Sequence, residues 1–444
     1  MGPSKTVLAG GYRIDSKVEM HQFRKSMLQL RPARVPRMNA AAACVAAVLF
    51  LGVCAASFAQ GTTGASYPKA PASAAFQSLS AKATAAENAG NLDEAARLFR
   101  KALALNPRWD EGWWSLGQID YEGNRYRAAT DEFRRVVALD PKYGTARAML
   151  GLCEFELGQD KEALGDIEAS KELGMEQDPQ LRQVVLYHEA ILLQRASRYE
   201  QAAMALSSLC LSGVRSANLA QIFGMTMLHI NSRTPPAEAT PKGDLVQHVG
   251  RGACLSAANQ YDEARREYDS VLKQAPHFPL VHYAYGRFLL EARDRHGAIE
   301  AFKQEIAEHP DDVLARLWIA AVEYKVDSAA GLPYARQALD LAPQSPLPHY
   351  LLGLLLLDTG DFQASIPHLE AARKAFSSDA RIYWSLGVAY AHVGRLKEAA
   401  QARAIFARLN QAKSADMQSG VTGMMPDALP QMPANENAGA VAKP

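Results

Sequence analysis

Residues 110–141 read DEGWWSLGQIDYEGNRYRAATDEFRRVVALDP, a pattern that predicts two antiparallel helices joined by a tight turn. The first helix should run from about Glu111 to Glu122, with Gly117 lacking a side chain where a partner helix would cross. A Gly-Asn pair then breaks the helix. The second helix carries one apolar stripe, with the i, i+4, i+7, i+8 spacing of residues that share a helix face, at Ala129, Phe133, Val136 and Val137. Pro141 ends it, because proline cannot continue a helix.

The same stretch contains W-x2-L-G, then A-x3-F, then P. These positions are Trp113, Leu116, Gly117, Ala129, Phe133 and Pro141. The stretch therefore resembles the tetratricopeptide repeat, which has this signature and a 34-residue period. Asp120 stands where the family prefers an aromatic residue. The period supports the resemblance, because Pro107 precedes Pro141 by 34 residues and Pro276 precedes Pro310 by the same interval.

Small and apolar residues recur at the corresponding positions of successive 34-residue stretches along most of the chain. They predict about nine repeats in two blocks, residues 76–209 and 245–410. Between them the period breaks down, and the prolines of 234–243 are expected to prevent a partner helix. Residues 210–244 are therefore interpreted as a degenerate half-repeat and hinge. Because each helix pair can bury its apolar face only against its neighbours, the predicted fold is an all-α, right-handed superhelical solenoid with a long concave side.

The N-terminal 59 residues have the composition of a basic leader followed by a signal peptide. Residues 1–37 hold eight Lys and Arg against two acids, and an uncharged stretch, 40–56, precedes Ser57-Phe58-Ala59. This order favours export to the periplasm or cell surface with cleavage after Ala59. An uncleaved inner-membrane anchor formed by residues 40–56 is the alternative. The basic part is long for a leader, so a start at Met20, Met27 or Met38 would also fit.

Two further segments lack helical periodicity. Residues 60–75 are rich in Gly, Ser, Thr, Ala and Pro and predict a flexible lead-in. Residues 411–444 are rich in Met, Pro, Ala, Gly and Asn and predict a disordered tail.

The charge of the chain argues against a nucleic-acid partner. The formal net charge is +1, and removing the +6 of residues 1–37 leaves the remainder at −5. A nucleic-acid surface would require a basic patch on the folded part.

No catalytic motif occurs in the sequence, and neither an enzyme nor a cofactor is predicted. Four histidines, His188, His277, His282 and His349, lie on different predicted helices, without the clustered spacing of a metal site. Once the signal peptide is removed, the cysteines are an odd and widely spaced set, Cys153, Cys210 and Cys254. That count and spacing argue against a disulfide framework or a metal site. Cys153 and Cys254 each lie on the first helix of a repeat, where they are expected to be small buried side chains.

The helical phase of the first helix in each repeat predicts which residues face the concave side. They are Trp114, Gln118, Tyr121, Phe155, Tyr187, Tyr283, Arg287, Tyr324, Tyr350 and Trp384. An aromatic-lined groove with few polar groups suits binding hot spots. The alternative is that several of these residues belong to the core between repeats, because helical phase does not distinguish a side chain in an open groove from one packed between two repeats.

The resemblance implies protein or peptide ligands in that groove. The subclass that captures acidic C-termini with Lys and Asn is not supported, because Gln118, Leu152, Ile191 and Leu354 stand where it would require asparagine. The favoured hypothesis is an exported, non-catalytic scaffold that binds a peptide or helical segment of another protein. The alternatives are a membrane-anchored assembly factor of the cell envelope and an accessory subunit of an enzyme. The oligomeric state is left open.

Overall fold

A computed structural model describes residues 73–175 and 179–416, which contain nineteen α-helices and no strand. These residues fall into two compact units that divide between Val185 and Leu186. The helices are α1 Ala74–Asn88, α2 Leu92–Leu105, α3 Asp110–Glu122, α4 Tyr126–Leu139, α5 Gly144–Glu156, α6 Asp160–Leu173, α7 Pro179–Arg195, α8 Tyr199–Leu211, α9 Ala217–Met227, α10 Pro241–Ala257, α11 Tyr261–Gln274, α12 Val281–Glu291, α13 Arg295–Glu308, α14 Val313–Glu323, α15 Ser328–Leu341, α16 Pro346–Asp358, α17 Phe362–Ala375, α18 Ala380–His392 and α19 Leu396–Asp416.

The N-terminal unit consists of the helix pairs α1–α2, α3–α4 and α5–α6 followed by the start of α7. The pair α3–α4 has the geometry that its sequence predicts. A methyl group at Gly117 would lie 3.0 Å from the ring of Phe133, so the glycine allows the two helices to approach. Ala129 and Phe133 are fully buried on the facing side of α4. The all-helical fold predicted from the repeat pattern is confirmed, while its right-handed sense stays a prediction.

The C-terminal unit continues with the pairs α12–α13, α14–α15, α16–α17 and α18–α19. Aspartates cap several of the second helices, because a side-chain carboxylate can accept a hydrogen bond from an otherwise unpaired amide of the first turn. Asp294 accepts from the amide of Gly297 and Asp361 from the amide of Ala364. The apolar faces of these pairs then bury each other, with Phe302 and Leu369 fully enclosed.

The segment 210–244 packs more closely than its prolines predict. Helix α9 lies against α10, and α10 also pairs with α11. The expectation that the prolines prevent a partner helix was wrong, because the partner begins at Pro241, where a first-turn proline loses no hydrogen bond. Thr240 caps that helix by accepting from the amide of Gly243 at 3.0 Å. Helix α9 therefore has a full partner.

Buried glutamines fix the connection between α9 and α10. Gln221 Nε2 donates to the carbonyl oxygen of Pro236 at 2.8 Å, and Gln194 donates to that of Ile230. Gln247 Nε2 donates to the carbonyl of Ala217 at 3.0 Å, which joins α10 to the start of α9. The first two bonds satisfy the carbonyl groups of Pro236 and Ile230, which lie outside helices. The three bonds tie the predicted hinge to its neighbours at both ends.

A disulfide links Cys210, near the end of α8, to Cys254 on α10. The expectation that these cysteines are free was wrong. They are 44 residues apart in sequence, but α8 and α10 pack together and bring their Cα atoms to 5.3 Å. Both are buried, as is the free Cys153 in the other unit.

Among residues 73–175 and 179–416, no helix is both long and apolar enough to cross a membrane. The predicted leader, signal peptide and lead-in up to residue 72, and the tail beyond 416, lie outside the described residues. The predictions for these segments therefore stay predictions.

Candidate interaction site

Four of the predicted groove residues belong to the N-terminal unit, and the structure places them in its packed interior. Trp114, Gln118, Tyr121 and Phe155 each keep less than a tenth of their surface exposed. The Trp114 ring centroid lies 5.4 Å from that of Phe133 and 5.3 Å from that of Tyr143. Their predicted place on an open groove is therefore corrected to the core, because neighbouring helices cover this face of α3 and α5.

In the C-terminal unit the predicted residues divide by exposure. Tyr283 and Tyr350 are fully buried, so these two also belong to the interior. Tyr187, Arg287 and Tyr324 are partly buried. Trp384 on α18 is the most exposed of the ten, at 47%.

Two of the predicted residues, Tyr283 and Arg287, belong to a polar and aromatic cluster, here called the Arg287 cluster. Its members come from four places along the chain. They are Tyr199 and Glu200 on α8, His229 after α9, Tyr283 and Arg287 on α12, and Trp318 on α14.

The position of Tyr283 is set by the way α12 begins. Leu280 precedes the helix with φ +66°, a left-handed conformation that turns the chain. The buried carboxylate of Glu305, on α13, accepts from the amides of Leu280 at 2.7 Å and Tyr283 at 3.1 Å. A carboxylate at a helix N-terminus satisfies unpaired amides and interacts favourably with the helix dipole. This contact anchors the first turn of α12 and the Tyr283 side chain it carries.

The centre of the cluster is the Tyr283 hydroxyl, which makes three hydrogen bonds. It accepts from Arg287 Nη1 and from Trp318 Nε1, both at 3.1 Å, and donates to Glu200 Oε1 at 3.0 Å. Arg287 Nη1 also donates to Glu200 Oε1 at 2.6 Å. The Arg287 guanidinium carbon lies 4.2 Å from the centroid of the Trp318 ring, within cation–π range.

Ionisation of the cluster follows from its surroundings. Desolvation opposes the charge of Glu200, but Arg287, His229 and the two hydrogen bonds outweigh it and lower the pKa of Glu200 below its ordinary value. Desolvation disfavours the charge of Arg287 too, but Glu200 and Tyr283 more than compensate and raise its pKa. The pair is therefore charged at neutral pH, as expected when opposite charges lie within hydrogen-bond distance.

His229 covers one side of the cluster as a neutral ring. It stacks on Tyr199 with a centroid distance of 4.0 Å and meets the Tyr283 ring edge-on at 5.8 Å. Desolvation lowers the pKa of His229 to about 4, against the opposing effect of Glu200. The Tyr199 hydroxyl donates to the carbonyl oxygen of His229 at 3.1 Å, which fixes the chain where it leaves α9.

The Arg287 cluster joins α8, α12 and α14. Its two charged groups, Arg287 and Glu200, are paired with each other. Within residues 73–175 and 179–416, no group of three or more His, Cys, Asp or Glu could hold a metal ion. Arg287 and Tyr283 are therefore engaged within the chain.

Three members of the cluster escaped sequence reasoning. Glu200 looks like a solvated acid in the first turn of α8, although it pairs with Arg287, 87 residues away. His229 lies in the segment expected to be a hinge, and Trp318 is a single aromatic in an apolar helix. The sequence offered one indication, because Tyr283 and Arg287 have the i, i+4 spacing of residues that share a helix face. The repeat pattern did not indicate their partners on α8 and α14.

The tetratricopeptide repeat models match four stretches of the chain. One model matches residues 80–143, 115–178 and 350–410, and a second matches residues 255–316. Together the matched residues amount to half of the chain. No curated protein matches it.

Solved structures of helical repeat proteins are similar at low identity. A crystal structure of MamA is 22% identical, covering 37% of this chain and 96% of that chain with a TM-score of 0.34. The structure titled MamA 41-end from Desulfovibrio magneticus RS-1 is 19% identical, with coverages of 38% and 96% and a TM-score of 0.35. A chain of the APC/C hetero-tetramer Cut9–Hcn1 is 14% identical, with coverages of 76% and 87% and a TM-score of 0.33.

Proposed function

We propose that this chain, which belongs to the tetratricopeptide repeat family, is a non-catalytic scaffold that binds a peptide or helical segment of another protein. The observation that carries the proposal is the series of helix pairs matching the repeat in both units. Repeat arrays of this kind present extended surfaces that suit protein ligands. The charged groups of the Arg287 cluster pair within the chain, so the proposal gives them a packing role.

The proposed binding surface is on the C-terminal unit, where predicted groove residues keep solvent access. Trp384 is its proposed anchor, because a large exposed aromatic on the first helix of a repeat is the residue type that most often dominates binding energy. Tyr187 and Tyr324 are partly exposed and could add contacts. Tyr283 and Tyr350 would act indirectly, by fixing the helices that carry the surface.

We further propose that the protein acts outside the cytoplasm. Disulfides persist in oxidising compartments and are rare in the cytosol. The bond between Cys210 and Cys254 therefore supports export, in agreement with the signal-peptide composition of residues 38–59. Intact mass of the protein isolated from its natural source tests this proposal. A start at Gln60 would support a cleaved signal, and retention of residues 40–56 would favour the membrane-anchored assembly factor.

A matched pair of variants tests the binding surface. Trp384→Ala removes the exposed aromatic from α18, whereas Leu341→Ala removes a side chain of similar exposure, 44%, from a second helix of a pair. A partner is first recovered by affinity capture, purified and titrated against both variants. Loss of a hot-spot side chain costs about 2 kcal/mol or more, which is about a 30-fold weaker Kd. We expect that loss for Trp384→Ala and little change for Leu341→Ala. Equal affinities of the Trp384 variant and the parent would exclude this surface.

A further inference from the structure

His349 on α16 and His368 on α17 form a histidine pair that the packing of their helices brings together. Their Nδ1 atoms lie 3.0 Å apart and their ring centroids 5.2 Å apart. The centroid separation is close to the largest that two imidazoles can have at this nitrogen distance. The two rings therefore point at each other edge to edge, with their Nδ1 lone-pair directions nearly collinear.

The pair is chemically able to act as a ligand. Both rings are partly exposed, so ions can reach them and the side chains can rotate. Imidazole nitrogen is a common ligand of copper and other transition metals. Metal binding requires a neutral imidazole.

The surroundings favour a particular class of ion. A divalent ion such as Zn²⁺ needs about four ligands, but no third His, Cys, Asp or Glu completes a cluster anywhere in the described part of the chain. Arg336, on α15, acts electrostatically on His368 and is a cation, so it would repel a doubly charged ion more than a singly charged one. Two collinear nitrogen donors match instead the linear, two-coordinate geometry of monovalent ions with a filled d shell.

We propose that His349 and His368 form a two-coordinate site for one monovalent soft metal ion of the copper(I) or silver(I) class, held between their Nδ1 atoms. Metal–nitrogen bonds of about 2 Å place the nitrogens of a linear complex about 4 Å apart. The pair must therefore open by about 1 Å from the 3.0 Å of the hydrogen-bonded state. The proposal assigns this opening to rotation of the two partly exposed side chains.

Titration of the full chain with silver(I), measured by isothermal titration calorimetry, tests the site. Thiols bind silver, so the parent for the experiment carries Cys44→Ser, Cys54→Ser and Cys153→Ala and keeps the disulfide. We expect one silver ion per chain to bind more tightly than all others, and its binding to be at least about 100-fold weaker in His349→Gln and in His368→Gln, because even outer-shell changes at metal sites cost 10–100-fold. His277→Gln, an exposed histidine elsewhere in the unit, is the control and should bind like the parent.

Unchanged silver affinity in both histidine variants would overturn the proposal, as would tighter binding of Zn²⁺ than of silver to the parent. If a variant fails to fold, X-ray absorption on the silver-loaded parent still decides. Two nitrogen neighbours at about 2 Å are expected. Three or more ligands, or a sulfur neighbour, would contradict the two-histidine site.

Discussion

The crossing of α9 and α10 gives a sharp prediction about stability. A methyl group at Gly250 would lie 1.6 Å from the carbonyl oxygen of Ala220 and 2.8 Å from the amide nitrogen of Gly224. Both contacts are with backbone atoms, so no side-chain rotation can relieve them. The Gly250→Ala variant can fold only if α9 and α10 move apart by about 1 Å or more, which separates apolar surfaces on both sides of the crossing.

Two effects of this substitution oppose each other. Alanine in place of glycine inside a helix normally stabilises by about 1 kcal/mol. Overpacking costs about 1–3 kcal/mol, and a clash confined to backbone belongs at the upper end. The net expectation is a loss of about 2 kcal/mol, or a fall in Tm of about 4–8 °C for a unit of this size. Thermal and urea unfolding followed by circular dichroism measure it.

Gly387→Ala is the matched control. Gly387 stands in the same repeat column as Gly117, yet a methyl group there would meet first the Arg403 side chain, at 3.2 Å. A flexible arginine on the surface of α19 can move, so helix propensity should prevail and leave this variant at least as stable as the parent. A Gly250 variant as stable as the parent would refute the close crossing, and a Gly387 variant as unstable as the Gly250 variant would refute the contact reasoning.

Three other measurements test separate features. Burial, then Asp120, raise the pKa of Glu132 to about 9, so the folded state holds a proton that the unfolded state releases near pH 4.5. The contribution of Glu132 to the free energy of unfolding should therefore be greatest below about pH 4.5 and should fall as the pH rises to 9. Glu132→Gln should flatten that dependence in urea unfolding, and parallel pH curves would contradict it. Replacing Cys210 and Cys254 by serine should cost about 3–4 kcal/mol, since the bond closes a loop of intermediate length. Alkylation before and after reduction should reveal both thiols only after reduction, and thiols that react without it would rule the bond out. Limited proteolysis should cut first at 233–243, where several exposed residues lie outside helices, and earlier cutting inside 116–137 would count against this.

Local sequence patterns predicted the helices well because their information lies within a few turns. In α4, Ala129 and Phe133 are one turn apart and face the same neighbour, so their spacing alone identifies the buried stripe. The turn after α3 is also local. Asn124 adopts a left-handed φ of +56° there, a conformation that asparagine tolerates better than most residues.

Spacing could not predict the candidate site in the same way. The Trp114 and Trp384 side chains both follow the helical phase expected of the concave side, yet one is 1% exposed and the other 47%. What differs is the neighbouring element, since Phe133 and Tyr143 pack against Trp114. Helical phase gives the direction of a side chain relative to its own helix and contains no information about which neighbour covers it.

By itself, the sequence determined the repeat, the helix pairs and the all-helical fold, because each of these depends on contacts between residues within about one repeat. Only the tertiary structure decided that Glu200 pairs with Arg287, that Cys210 bonds to Cys254 and that α9 has a full partner in α10. The physical reason is distance along the chain. Contacts over 44 or 87 residues depend on how successive helix pairs stack, and small differences in each pair's packing add up before the two partners meet.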